Sequence, residues 1–120
     1  MFKYHNANPL GDIESDCVCR AISKATNLEY YDVEEKLYLI AGLFGCETLC
    51  VCCYKHLLEN VFGFEPQMAH GATVGDIARA YRDDVVLIRI DGHLTVSKYG
   101  VVYDLWDCTQ EIADVFWIVE

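Results

Sequence analysis

The sequence predicts an α+β domain: helices come first and antiparallel strands follow. Two observations carry this. Between Val18 and Ile40 apolar residues recur at helical spacing, and from Val85 onward they run continuously or alternate with a period of two. The chain has no repeat, linker or low-complexity run, and its two prolines, Pro9 and Pro66, read as loop punctuation. Residues 1–120 are therefore expected to form one domain.

Residues 1–15 read as an extended or looped arm, with turn chemistry from Asn6 to Asp12. Asp16 is an N-cap, and Cys17 to Thr26 follows as a helix with Val18, Ala21, Ile22 and Ala25 on one stripe. Asn27 ends it. Asp32 and Glu35 form a capping-box pattern for a second helix, whose buried stripe is Val33, Leu37 and Ile40. Gly42 and Gly45 break that helix. A third is expected from about Thr48 to Asn60, with Leu49, Cys52, Cys53 and Leu57 on a shared side and Gly63 as its stop. Thr73-Val74-Gly75-Asp76 opens a short helix that runs through Tyr81.

The strands follow. Val85-Val86-Leu87-Ile88 is a continuous apolar run of the kind buried strands show. His93 to Lys98 alternates, and Val101-Val102-Tyr103 returns after Tyr99-Gly100, which reads as a hairpin. Val115 to Val119 is the last strand.

Composition narrows function. Hydrophobic residues make up 53% and charged residues 23%, an ordinary globular balance. Nine Lys+Arg against nineteen Asp+Glu leave a net charge of −10, which repels phosphate backbones and argues against a nucleic-acid partner. The same field would steer basic segments of a protein or peptide toward the surface. It also suits a decoy that mimics nucleic acid. No apolar run approaches the roughly 20 residues of a membrane span, and the polar start Met1-Phe2-Lys3-Tyr4-His5 lacks a secretory h-region. Seven cysteines, an odd number at uneven spacings, argue against a disulfide framework and for mostly free thiols in a reducing cytoplasm.

One thiol stands apart. Cys17 opens the helix capped by Asp16, where free backbone N–H groups and the positive end of the helix dipole favour a thiolate. His93, at the start of a strand after Asp91-Gly92, is placed to take and return its proton. The other histidines fit less well: His5 and His70 lie in loops and His56 on a helix face. An aspartate to orient the imidazole is either Asp104 or Asp107. With a two-residue turn at Tyr99-Gly100, Lys98 pairs with Val101, His93 faces Trp106, and Asp104 shares the face of His93. A three-residue turn shifts the register by one and favours Asp107 instead.

The stretch Asn8-Pro9 … Asp16-Cys17-Val18-Cys19-Arg20-Ala21-Ile22 resembles the "NP…GDCVxRAI" opening of small proteins from bacteriophages and prophages. Gly92-His93-Leu94-Thr95-Val96 … Tyr99-Gly100-Val101-Val102-Tyr103-Asp104-Leu105-Trp106-Asp107 is similar to their "GHLTAVxDGVxYDTWD" segment, and Phe116-Trp117 to their aromatic ending. Two positions depart from the pattern: Ser15 replaces a glycine, and Tyr99-Gly100 replaces an Asp-Gly turn. The order of an early Cys, a late His and an Asp on the next strand resembles that of papain-like cysteine peptidases. The likeness implies a minimal papain-like fold, N-terminal helices packed on a C-terminal antiparallel sheet, laid out as in bacteriocin-leader and picornaviral leader peptidases. It further implies Cys17 as nucleophile, His93 as general base and Asp104 as the orienting carboxylate, with no metal or organic cofactor. The Cys17 backbone N–H is a natural oxyanion donor, and Asn8 and Asn6 are the amides available to assist it.

Cys46, Cys50, Cys52 and Cys53, with His56 nearby, invite a zinc reading, but their spacing is not that of the common zinc sites. Small apolar helix residues account for them as well, and no metal is expected. The sequence thus points to a thiol hydrolase, a peptidase or isopeptidase acting on protein or peptide. A deamidase or acyltransferase would use the same three groups. The alternative of another class is a catalytically idle binding protein that inhibits a host factor.

Overall fold

The computed structural model describes residues 1–11, 16–47 and 50–119. Its elements run β1 (Phe2–Tyr4), α1 (Cys17–Thr26), α2 (Tyr30–Phe44), α3 (Val51–His56), a π-helical turn (Leu57–Val61), β2 (Glu65–Met68), α4 (Val74–Ala80), β3 (Val85–Ile90), β4 (His93–Lys98), β5 (Val101–Asp104) and β6 (Val115–Val119). The expected helix start at Thr48, the Leu49 position and the Ser15 substitution lie outside the described residues.

The α+β class holds, with one six-stranded sheet in the order β1-β5-β4-β3-β6-β2. The sheet is mixed, which corrects the expectation of a purely antiparallel C-terminal sheet. β1, from the arm expected to be loop, pairs parallel to β5, with Tyr4 opposite Asp104. β2 comes from the middle of the chain and pairs antiparallel to β6, with Pro66 opposite Trp117. Proline is tolerated there because β2 is an edge strand.

The helices also divide between the two faces. Buried residues of α1, α2 and α3 pack with Leu87, Leu94, Val96 and Trp117 on one side. Val74, Ile77 and Ala78 of α4 pack with Val86, Ile88 and Val102 on the other. The central strand β3 therefore buries both faces, which is why its sequence is continuously apolar rather than alternating.

Local signals explain most boundaries. Asn27, at φ 62°, ends α1, and Gly45, at φ 69°, ends α2. The reciprocal Thr73–Asp76 capping box opens α4 as expected. The second helix starts earlier than its capping pattern suggested: Glu29 is the N-cap and Asp32 lies in the first turn, where its charge suits the dipole. The earlier start places Tyr30 on the buried side of the helix. The β4–β5 turn is the two-residue one. Tyr99 (φ 53°) and Gly100 (φ 83°) are both left-handed, as a type I′ turn requires.

Cys46 and Cys53 are joined by a disulfide, the one departure from free thiols; the other five cysteines are free, as the expectation of mostly free thiols had it. It ties the segment after α2 to α3, a proximity that spacing alone does not reveal. Among the described residues no helix is long and apolar enough to cross a membrane.

Candidate active site

Cys17 is the first residue of α1, with Asp16 at the N-cap position as expected, but Asp16 makes no side-chain cap. Its carboxylate turns inward instead. It pairs with Arg20 one turn along the helix, accepts the Tyr30 hydroxyl at 2.6 Å and accepts an N–H of the Asn8 carboxamide at 3.0 Å. Asp16, Arg20, Tyr30 and Asn8 are all buried, at 5, 8, 6 and 8% exposure. This network fixes the start of α1 against α2 and the N-terminal loop. The Arg20 partner at i+4 was readable in the sequence; Tyr30 and Asn8 were not readable as partners of Asp16.

This pairing bears on the expected oxyanion donors. The Asn8 carboxamide donates to Asp16 while its Oδ1 accepts the Leu10 N–H at 2.9 Å. Asn8 is thus a positioning residue behind the nucleophile. Asn6 Oδ1 accepts the Asn8 backbone N–H at 3.0 Å, within the same loop.

His93 lies at the start of β4. The hairpin register brings Lys98 opposite Val101 and Ser97 opposite Val102. The His93 ring packs 5.3 Å from that of Trp106. Asp104, the last residue of β5, reaches His93 on the same face: its Oδ2 lies 2.6 Å from His93 Nε2. The Leu105 N–H donates to the other Asp104 oxygen at 2.7 Å. Asp107 is not part of this arrangement. It is exposed, and its Oδ1 accepts the Thr109 N–H at 3.0 Å and hydroxyl at 2.6 Å in a local turn.

Cys17 and His93 line the same pocket, and the imidazole that bonds Asp104 also acts on the thiol. Burial pushes the thiol up, but the bonds to His93 and to the Leu94 backbone outweigh it, and the thiol is held below its ordinary range. Burial disfavours the imidazolium, yet bonds to Asp104, Cys108 and Cys17 outweigh that, and His93 is pushed up to about 11. Burial likewise raises Asp104, but the His93 bond and charge win and hold it below the usual carboxylate range. The three shifts agree in sense: they favour thiolate, imidazolium and carboxylate together.

Cys108 is fully buried, with its sulfur 3.8 Å from Asp104 Oδ2, so it is a neighbour of the carboxylate. Cys19 faces the core; burial pushes its thiol up to about 12. The contrast with Cys17, two residues away, comes from surroundings alone.

A pocket of about 260 Å³ opens beside the thiol, lined by Cys17 and Val18 of α1, Val51 and Tyr54 of α3, and Arg89, Gly92, His93 and Leu94 of the sheet. Sequence reading missed Tyr54 and Arg89, because no spacing rule connects a helix in the middle of the chain to a strand that arrives later.

Among the described residues two groups bring three potential metal ligands within 4.8 Å of one another: His93, Asp104 and Cys108; and Cys46, Cys52 and Cys53. In the first, His93 and Asp104 are bonded to each other. In the second, the disulfide takes up two of the three thiols. Neither presents the open thiolate or imidazole set that a metal ion needs.

The chain matches no protein-family model, no curated protein and no solved structure.

Proposed function

We propose that the protein is a thiol hydrolase of papain-like layout, a peptidase or isopeptidase acting on protein or peptide. The observation that carries this reading is the placement of His93, whose Nε2 lies 2.6 Å from Asp104 Oδ2 while its ring lines a pocket together with Cys17. The Cys17 thiolate attacks an acyl carbon and the carbonyl π electrons move to oxygen. The backbone N–H of Cys17 and the open first turn of α1 stabilise that oxyanion. His93 gives its proton to the leaving group, the C–N bond breaks and a thioester remains. Water then attacks the thioester, with His93 taking its proton, and the acid product leaves as the thiolate is restored. Asp104 holds the ring in orientation and stabilises its charged form. A deamidase or acyltransferase would share these steps and differ in which amine leaves or which nucleophile replaces water.

The first test is a short iodoacetamide pulse on native protein at about pH 6, where an ordinary thiol is well under one percent ionised. Mass spectrometry reads each cysteine, beside a His93→Ala variant. Selective labelling of Cys17 that weakens in the variant supports the reading; labelling no faster than at Cys50 or Cys52 overturns it.

A second reading has its own observation. Tyr31, Tyr38, Leu39, Leu43 and Phe44 of α2 are each at least half exposed. An idle scaffold that binds a partner would use such a face, and inert Cys17 in the same pulse would favour it.

A further inference from the structure

Arg89 projects from β3 on the face that bears α1, α2 and α3, between Leu94 on β4 and Val115 on β6. Its guanidinium donates from Nη1 to Asp114, and it lines the pocket beside the Tyr54 hydroxyl, on which it acts as a cation and a donor. A guanidinium has five N–H donors and no acceptor. Two consequences follow. Asp114 and Tyr54 leave donors over for the pocket that Arg89 lines. And because Arg89 must be the donor to Tyr54, the phenolic proton is left for another acceptor. Burial pushes Tyr54 up to about 12, so that proton stays in place at neutral pH.

The remaining pocket wall is Val18, Val51, Gly92 and Leu94, which offers no carboxylate. Two convergent donors, one of them cationic, thus stand on an otherwise apolar wall beside the proposed nucleophile. With a net charge of −10, the molecule's overall field repels an anion at long range. Only direct contact within the pocket would hold one.

We propose that this pocket is a substrate subsite for a carboxylate, gripped by Arg89 and Tyr54 while the adjoining acyl carbon faces Cys17. The proposal rests on the thiol-hydrolase reading and adds the chemical class of what is recognised. The carboxylate has two possible sources, an acidic side chain or the end of a chain.

The test uses the native protein at neutral pH and reads Cys17 alkylation by mass spectrometry. Iodoacetate and iodoacetamide both lose iodide to the thiolate and form a thioether; they differ by one charge. The ratio of their rates is expected to exceed that of glutathione by about tenfold, a modest return for one charge contact at a few ångströms. Arg89→Gln is expected to remove most of that gain, and Arg89→Lys to keep part of it. Needing no variant, acetylated peptides are also tested as protectants of Cys17 in the wild-type chain: Gly-Glu amide, Gly-Gln amide, and Gly-Gly with a free carboxylate. Protection by the Glu but not the Gln peptide assigns an acidic side chain, and protection by the free carboxylate assigns a chain end. A reactive Cys17 with no charge preference, a preference unchanged in Arg89→Gln, or equal protection by all three peptides overturns the carboxylate subsite alone. Cys17 inert to both reagents overturns the nucleophile reading and the subsite with it.

Discussion

His93 Nε2 and Asp104 Oδ2, eleven residues apart in the chain, meet at 2.6 Å across the β4–β5 hairpin. That contact depends on a turn of two residues. One residue more would carry Asp104 to the opposite face of the sheet. The geometry of the candidate site is therefore set by the backbone at Tyr99 and Gly100, both in the left-handed region.

The pH dependence of Cys17 alkylation follows from the pair. Cys17 is held below the ordinary thiol range and His93 is pushed up to about 11, so the two shifts widen the pH range in which thiolate and imidazolium coexist. The rate with iodoacetamide at pH 7 is expected to exceed that of a free thiol, which with a pKa of about 8.5 is only a few percent ionised there, and to level off at a lower pH than the free thiol does. A pH profile that coincides with that of a free thiol would count against the pair.

Asp104→Asn keeps the shape of the side chain and removes its charge. His93 then loses its strongest upward influence, and turnover at neutral pH is expected to drop by about 10²–10⁴-fold. Stability responds in a defined window. Asp104 is lowered from 3.8, so its contribution is present above that value and lost as pH falls through the lowered native value. His93 is raised from 6.5 to about 11, so its contribution is complete below 6.5 and is lost as pH rises toward 11. The Tm gap between wild type and Asp104→Asn should be widest between 3.8 and 6.5 and close on both sides.

Asp16→Ala removes the buried ion pair with Arg20 and the acceptor of Tyr30 and Asn8. Urea unfolding should show a loss of about 3–5 kcal/mol, the usual cost of breaking a buried ion pair. Tyr30→Phe removes one hydrogen bond to Asp16 and should cost about 1 kcal/mol. In the double variant the Tyr30→Phe cost should shrink, since the hydrogen bond to Asp16 is already gone.

Reducing the Cys46–Cys53 link, seven residues in separation, should lower stability by about 2 kcal/mol, as expected for a loop this short. Comparison of oxidised protein with a Cys46→Ser variant in the same denaturant series checks the size. Before reduction, neither cysteine should take up an alkylating reagent.

What was legible in the sequence is what local chemistry determines. The Thr73–Asp76 cap, the β4–β5 turn and the register that selects Asp104 all rest on neighbours in the chain. What escaped needs partners from afar. β1 is three residues long and has no period to detect; only its position beside β5 makes it a strand. β2 contains Pro66, which looks like a loop until the strand is seen at the sheet edge. The buried Asp16–Tyr30 contact and the Cys46–Cys53 link likewise come from the packing of α1 against α2 and of α2 against α3. The approach of Tyr54 to Arg89 joins α3 to β3, elements that arrive well apart in the chain.

The sheet closes at one side with a three-residue strand and at the other with a four-residue strand that carries proline. Neither border offers a long row of unpaired amides on which a second chain could extend the ladder. Together with the strong like charge of its copies, this should keep the folded molecule from growing into fibrils or disordered aggregates when it is crowded.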